Sequence, residues 1–180
     1  MHGLACAKIN LTLEVTGKRP DGYHELISLM QTVSLADELS LEPAEDLSLD
    51  CDVPELAGDN NLVLRAARLL GRGGRFVLRK RIPAAGGLGG GSSDAAVALR
   101  LLDAAYHLRL SPEHLMEAAT HLGSDVPFFL HAGTVLVKGR GELVQPLPDL
   151  RERWLVLLNP GVPLSTARVF QDLRPDEYAA

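Results

Sequence analysis

Residues 83–96 read PAAGGLGGGSSDAA and place five of the chain's seventeen glycines within six positions. An apolar, basic segment that favours a β-strand (Phe76–Ile82) precedes them, and a segment typical of a helix (Ser92–Tyr106) follows. Glycine allows positive φ angles and a close approach of the backbone to a ligand. The first turn of a helix offers unpaired N–H groups at the positive end of its dipole. The order strand, glycine loop, helix therefore predicts a phosphate pocket, with Ser92 or Ser93 as the helix N-cap.

This glycine-rich run matches neither of the two commonest phosphate loops. A Walker A loop needs a lysine at the position of Ser92, and the dinucleotide pattern G-x-G-x-x-G fails in every register. The alternative is a flexible Gly/Ser linker. Because a linker rarely lies between a basic strand and an Ala/Leu-rich helix, we favour the phosphate-binding interpretation.

The bulk composition predicts a cytoplasmic globular protein. With 180 residues, 46% of them hydrophobic, the chain can form one domain or slightly more around a buried core. No apolar run approaches the ~18 residues of a membrane span, and the N-terminus lacks a signal-peptide pattern. The net charge of −5 argues against general nucleic-acid binding. Cys6 and Cys51 form no CxxC pair and have no His at metal-ligand spacing, so we expect buried thiols in a reducing compartment and no protein-only metal site.

A cluster of basic residues leads into the glycine-rich run. Its members are Arg65, Arg68, Arg72, Arg75, Arg79, Lys80 and Arg81. Such a cluster can raise the local concentration of an anionic ligand. Its spacing nevertheless favours, for most members, the solvated face of a helix and an edge strand.

The hydrophobic pattern predicts intermixed strands and helices. Strands are expected at 4–15, 25–35, 47–51, 76–82, 133–138 and 154–158. Helices are expected after the cap at 59–61 as far as 70, at 92–106, from 111 to 123, and from 165. In the first strand, the side chains predicted to be buried are Ile9, Leu11, Leu13 and Val15. Because no regular βαβ period emerges, an α+β fold is favoured over a doubly wound sheet.

Four stretches resemble the GHMP kinases, the superfamily that includes galactokinase and mevalonate kinase. They are the glycine-rich run, AKINL at 7–11 with RPDGYHE at 19–25, GSDVPFF at 123–129, and Asn159–Gly161 continued by Thr166 to Phe170. Within the superfamily the chain resembles the 4-diphosphocytidyl-2-C-methyl-D-erythritol kinases over nearly all 180 residues. The resemblance implies a two-layer α+β fold, the ribosomal-protein-like N-terminal GHMP-kinase domain, for residues 1–160. Residues 161–180 are then expected to begin the connection to a C-terminal domain. That domain would carry the third Gly/Ser-rich motif of the superfamily, and we expect it to be missing here.

The resemblance also implies a function, the transfer of a phosphoryl group from ATP, with Mg²⁺, to the 2-hydroxyl of the diphosphocytidyl methylerythritol. Such a transfer needs a cradle for the triphosphate, a group that orients the hydroxyl, and a proton acceptor. The family's ATP loop falls on Pro83, Ala84, Ala85, Gly86, Gly87, Leu88, Gly89, Gly90, Gly91, Ser92 and Ser93. Ala85 departs from the family pattern, which usually has glycine there.

Two residues are candidates for the catalytic roles. Lys8 lies on the polar side of the first predicted strand with Asn10, where spacing alone favours a solvated side chain. Asp125 follows a helix stop, and by itself it reads as an ordinary turn aspartate. The resemblance places the family's catalytic lysine at Lys8 and its catalytic base at Asp125.

The resemblance assigns the acceptor side as well. The substrate-binding positions it implies are Asn10, Tyr23, His24, Thr166 and Phe170. A cytosine base can stack on the Tyr23 ring and hydrogen-bond the His24 imidazole. Two other interpretations stay open, namely a GHMP kinase for another small alcohol and a non-catalytic nucleotide-binding fragment.

Overall fold

A computed structural model describes residues 1–162 and 166–179. Its strands are β1 (His2–Lys18), β2 (His24–Glu42), β3 (Leu47–Cys51), β4 (Gly74–Arg79), β5 (Thr134–Gly139) and β6 (Leu143–Leu147). Its helices are α1 (Leu62–Leu69), α2 (Gly90–Ala105), α3 (Pro112–Leu122), α4 (Val126–His131) and α5 (Thr166–Gln171). Short 3₁₀ turns lie at Pro54–Leu56 and Pro175–Glu177.

The described strands form one six-stranded sheet organised by the long strand β2. β1 pairs antiparallel with β2 from end to end, so that His2 lies opposite Ser40 and Lys18 opposite His24. On the other side of β2, residues 38–42 pair with β4 and residues 26–31 pair with β5, both antiparallel. β3 is parallel to β4, and β6 is antiparallel to β5. The single strand β2 therefore fixes the positions of both outer strand pairs.

Helices α1, α2 and α4 pack on the sheet, with α2 at the centre against β1 and β2, and α3 packs against these three helices. The largest fully buried side chains include Leu39, Leu41, Phe76, Leu78, Leu99, Leu102 and Phe128, contributed by both layers. This arrangement confirms the two-layer α+β prediction. Within the described residues, no helix is both long and apolar enough to cross a membrane.

The middle of β1 is exposed to solvent, which contradicts one expectation. Leu11 and Leu13, predicted to be buried, are 41% and 50% exposed. Residues 10–14 of β1 are exposed in succession, and the register of β1 against β2 shifts between Asn10 and Thr12, so no alternating burial pattern is seen here. Of the two cysteines, which are both free, Cys51 is buried and Cys6 only half-buried.

Helix starts follow the predicted capping residues at α1 and α3 but not at α2. The side chain of Asn61 accepts a bond from the N–H of Val63, and that of Ser111 accepts one from the N–H of His114. The prediction that Ser92 or Ser93 caps α2 is wrong. The helix begins earlier, after Gly89, because this glycine adopts a left-handed conformation that leads directly into the first turn.

The predicted strand at Trp154–Leu158 is also wrong. These residues form no strand, and the side chains of Trp154, Val156 and Leu158 are 98%, 97% and 92% exposed. A strand needs a neighbour to pair its backbone and cover its side chains, and none of the described residues supplies one here. In contrast, the sequence pattern missed two short elements. One is α4, whose residues 126–129 are buried, and the other is β6, which pairs with β5.

Candidate nucleotide and catalytic site

Residues 83–93, called the glycine loop below, connect β4 to α2 and lie against β1. The backbone N–H of Lys8 donates to the carbonyl of Leu88 at 2.9 Å, which fixes the loop to the first strand. The part of the loop at 83–87 is exposed, and its last residues enter the first turn of α2. The loop therefore presents the N-terminus of α2, with its unpaired N–H groups, beside Lys8.

Gly89 is the tightest point of the loop. Its φ is +72°, and a Cβ built there would lie 2.6 Å from Cζ of Phe129 and 3.1 Å from Cγ of Lys8. Both the backbone conformation and the space thus require glycine. Ala85, which departs from the family pattern, also has a positive φ of 54°, an uncommon conformation for a residue with a Cβ.

Lys8 is buried beside the loop, with 7% of the residue exposed. Its ammonium donates to Oδ1 of Asn10 at 2.7 Å, and the amide of Asn10 donates to Oγ of Ser28 at 2.7 Å. Burial lowers the pKa of Lys8, and the charge of Asp125 opposes that shift. The side chain is therefore not the solvated lysine that spacing alone favours. It is a partly desolvated cation held in a fixed orientation.

Asp125 lies at the N-cap position of α4, and it is half-buried. The following residues Pro127, Phe128 and Phe129 are buried, and the two phenylalanine rings pack edge to face with centroids 4.9 Å apart. The Phe129 ring lies next to Gly89. Because Asp125 and Phe129 are both at α4, the helix places Asp125 near the glycine loop. Among the described residues, the bonded partner of the Lys8 ammonium is Asn10, and Asp125 acts on it through the electric field.

A buried ion cluster lies behind the loop, and the sequence analysis missed it. The ammonium of Lys80 binds Oδ2 of Asp37 and, at 2.7 Å, Oδ2 of Asp94; all three side chains are at most 6% exposed. Gly90 lies directly over this lysine, since a Cβ there would be 3.2 Å from Nζ. The available signal was Asp94 itself, an acid among the small apolar residues of α2. Lys80, counted with the solvated basic cluster, is in fact buried.

The acceptor-side residues fall into two groups. His24 is 8% exposed; its ring stacks on that of Phe170 at 5.4 Å and lies edge-on to Tyr178 at 5.8 Å. Tyr23 is 51% exposed and instead contacts Arg140, whose Cζ lies 4.9 Å from the ring centroid. Thr166 begins α5, but its side chain lies outside the described part of the chain. Tyr178 and Arg140 carried no sequence signal.

The described part of the chain contains no metal centre built from its own side chains. Within residues 1–162 and 166–179, no group of three or more His, Cys, Asp or Glu side chains could hold a metal ion.

Comparison with known proteins reveals close relatives. The GHMP kinases N terminal domain matches residues 61–133. A crystal structure of 4-(cytidine 5'-diphospho)-2C-methyl-D-erythritol kinase superposes with a TM-score of 0.80 at 39% identity, covering 100% of this chain and 67% of that one. The 4-diphosphocytidyl-2-C-methyl-D-erythritol kinase of Dehalococcoides mccartyi is 43% identical over 98% of this chain, and that of Cereibacter sphaeroides is 49% identical over 96%.

These relatives are longer than the present chain. It spans 66% of the length of the D. mccartyi protein and 63% of the C. sphaeroides protein. A mevalonate kinase from L. major, solved with R-mevalonate, matches with a TM-score of 0.69 at 18% identity over 96% of this chain. At that identity the match shows a shared fold only.

Proposed function

Since the chain belongs to the 4-diphosphocytidyl-2-C-methyl-D-erythritol kinase family of GHMP kinases, we propose that it serves ATP-dependent phosphorylation of the 2-hydroxyl of that diphosphocytidyl alcohol. The reaction is a step of non-mevalonate isoprenoid biosynthesis. The observation that carries the proposal is the 2.9 Å bond between Lys8 N–H and Leu88 C=O. It joins the candidate phosphate loop and the candidate catalytic lysine in one rigid unit.

The glycine loop would hold the ATP phosphates. Its exposed backbone precedes the positive end of α2, which favours negative charge. The bare backbone at Gly89 leaves space for phosphate oxygens, where any side chain would collide with Phe129. Mg²⁺ would enter bound to the phosphates and neutralise part of their charge. Residues of the glycine loop would supply the cradle for these phosphates.

Lys8 and Asp125 would act on the acceptor hydroxyl. In the proposed reaction the 2-hydroxyl oxygen attacks the γ-phosphorus, its proton passes to Asp125, and ADP leaves. Lys8, fixed by Asn10, orients the hydroxyl and stabilises negative charge on its oxygen. The burial that lowers the pKa of Lys8 also strengthens its field at the reacting oxygen.

Tyr23, His24 and Phe170 would bind the cytidine part of the substrate, together with Thr166. His24 and Phe170 already stack on each other, which supports a shared site for a flat base. We further propose that residues 1–160 form the ATP- and substrate-binding unit and that 161–180 begin the connection to a second domain. A cytoplasmic location is proposed because both cysteines are free.

The decisive experiment incubates the 180-residue chain with Mg²⁺, ATP and the diphosphocytidyl alcohol and measures ADP release and product mass. Mevalonate, homoserine and galactose serve as competing acceptors. Asp125→Asn is the inactive control. We expect product only with the diphosphocytidyl alcohol, and cytidine diphosphate should compete with it.

Two other outcomes would replace the proposal. Turnover of a small alcohol without a nucleotide would identify another GHMP kinase. ATP binding, measured by calorimetry, without turnover of any acceptor would identify a nucleotide-binding fragment.

A further inference from the structure

We infer that Asp94 is a positioning residue for the glycine loop and that it takes up a proton when an anionic nucleotide binds there. This inference rests on the proposed ATP site. Asp94 is the fifth residue of α2, so it lies roughly 6 Å along the helix axis from the first residue, Gly90. Its carboxyl binds the Lys80 ammonium, which lies beneath Gly90. The cluster therefore supports the backbone that would hold the phosphates.

The hydrogen bonds of the cluster are unevenly shared. Asp37 accepts from the Lys80 ammonium and from the backbone N–H groups of Arg81 and Ile82, the latter two at 2.6 and 2.8 Å. Asp94 accepts from Lys80 alone at 2.7 Å, and its Oδ1 is the one buried side-chain N or O atom of the described residues without a partner. A carboxylate oxygen without a donor disfavours the ionised form. The proton therefore belongs on Asp94.

The charges agree with this assignment. The pKa of Asp94 is raised to about 7, mainly by burial; Lys80 opposes the shift, and the neighbouring Asp37 adds to it. Burial lowers the pKa of Lys80, but both carboxyls more than offset that effect, so the lysine stays charged. With Asp94 ionised the cluster would carry one net negative charge directly behind the loop. Protonation of Asp94 removes that charge.

The other titratable groups near Asp94 do not take up the proton in its place. The titratable groups facing it are Asp37 on β2, Lys80 after β4, and Cys51 on β3, whose thiol interacts weakly with both Asp94 and Lys80. Asp52 accepts the backbone N–H of Lys80 at 2.9 Å from the exposed side. On β1, Lys8 lies against Gly89 on the other side of the loop.

Nucleotide binding then couples to protonation. Phosphates at the start of α2 bring negative charge close to Asp94, and a nearby like charge raises the pKa of a carboxyl further. The bound state consequently holds more protons at Asp94 than the free state near pH 7 to 8. By linkage, nucleotide affinity decreases as pH rises through this range.

The test is calorimetry with the Mg²⁺ complex of a non-hydrolysable ATP analogue. Titrations at pH 7.5 in two buffers of different ionisation enthalpy give the number of protons taken up, for wild type and Asp94→Asn. Asp50→Asn is the matched control, since it removes an exposed carboxylate from neighbouring β3. We expect wild type and Asp50→Asn to take up about 0.3–0.7 proton more than Asp94→Asn. Protonation of the nucleotide itself cancels in this difference.

The affinity profile is the second readout. Between pH 6.5 and 8.5 we expect wild-type affinity to fall about three- to tenfold more than that of Asp94→Asn, because one unit of pKa shift corresponds to a factor of ten. A ¹³C NMR titration of the Asp94 carboxyl in wild type tests the same point without a variant, and should show a higher pKa in the complex. Normal nucleotide binding with equal proton uptake in wild type, Asp94→Asn and Asp50→Asn would overturn this inference but not the proposed ATP site. Absence of binding at every pH would overturn the proposed ATP site as well.

Discussion

The surroundings of the glycine loop and the segment 151–162 differ in how deeply their side chains are buried. Around the loop, Lys80, Asp94 and Phe129 are buried and packed against several elements. In the segment, Trp154 and Val156 are almost fully exposed and belong to no strand or helix. Both stretches have a clear local pattern in the sequence. A pattern therefore becomes structure only where other parts of the chain cover it.

The residues proposed to bind the nucleotide and those proposed to bind the acceptor differ in the same way. The nucleotide half, from Lys8 to Asp125, is built by strands and helices that share one core. The acceptor half depends on loop residues such as Tyr23 and on the short helix α5. We therefore expect substitutions at Lys8, Asp125 and the glycine loop to act more strongly and more specifically than substitutions in the acceptor half.

The largest effect is expected for Asp125→Asn. The variant keeps the shape of the side chain but loses its proton affinity, so turnover should fall by about 10²–10⁴ with little change in substrate binding. Steady-state kinetics measure the effect. Glu113→Gln, an exposed carboxylate at the start of α3, is the matched control and should have wild-type turnover. Near-normal turnover of Asp125→Asn would assign the base to another residue.

Gly89→Val should reduce ATP affinity by about a hundredfold or more, because it combines backbone strain with a clash. The matched control is Gly87→Val. Gly87 has a similar φ of +70°, but a Cβ there meets nothing within 4 Å. Calorimetry should show a much smaller loss for the control, and circular dichroism should show both variants folded. Wild-type ATP affinity in Gly89→Val would exclude the loop from the mechanism.

Tyr23→Ala should weaken binding of the diphosphocytidyl alcohol by about 5- to 150-fold, since stacking on an aromatic side chain contributes ~1–3 kcal/mol per base. ATP affinity should be unchanged, because the glycine loop is separate. Equilibrium binding of each ligand is the measurement, and Tyr23→Phe, which keeps the ring, is the control. Equal weakening of both ligands would mean that Tyr23 supports the fold, and no response of either would favour a smaller alcohol as substrate.

The smallest effect is expected for Trp154→Ala. Its side chain is 98% exposed and loses no packing, so the free energy of unfolding should change by about 0.5 kcal/mol or less. Phe128→Ala removes a fully buried ring and should lower the free energy of unfolding by about 3–5 kcal/mol. Urea unfolding monitored by circular dichroism measures both. A large loss of stability in Trp154→Ala would show that the segment packs against the domain.

Several local elements around the candidate site were predicted correctly from the sequence. The order of strand, glycine loop and helix correctly located the junction of β4 and α2, since glycine clusters and helix patterns act locally. The cap of α1 at Asn61 followed from side-chain chemistry within three residues. The cap of α2 did not, because Gly89 begins the helix through its backbone conformation rather than through a side chain. Short α4 escaped detection because packing, not propensity, stabilises it.

The sequence by itself determined the α+β class, the position of the glycine loop and the candidacy of Lys8 and Asp125, because each rests on residues close together in the chain or on a motif. Only the tertiary structure decided that Lys8 is buried against the loop, that Lys80 joins Asp37 and Asp94 across 43 and 14 positions, and that the pattern at 154–158 forms no strand. The physical reason is that burial, charge pairing and strand formation depend on neighbours distant in sequence. Local periodicity cannot show whether those neighbours are present.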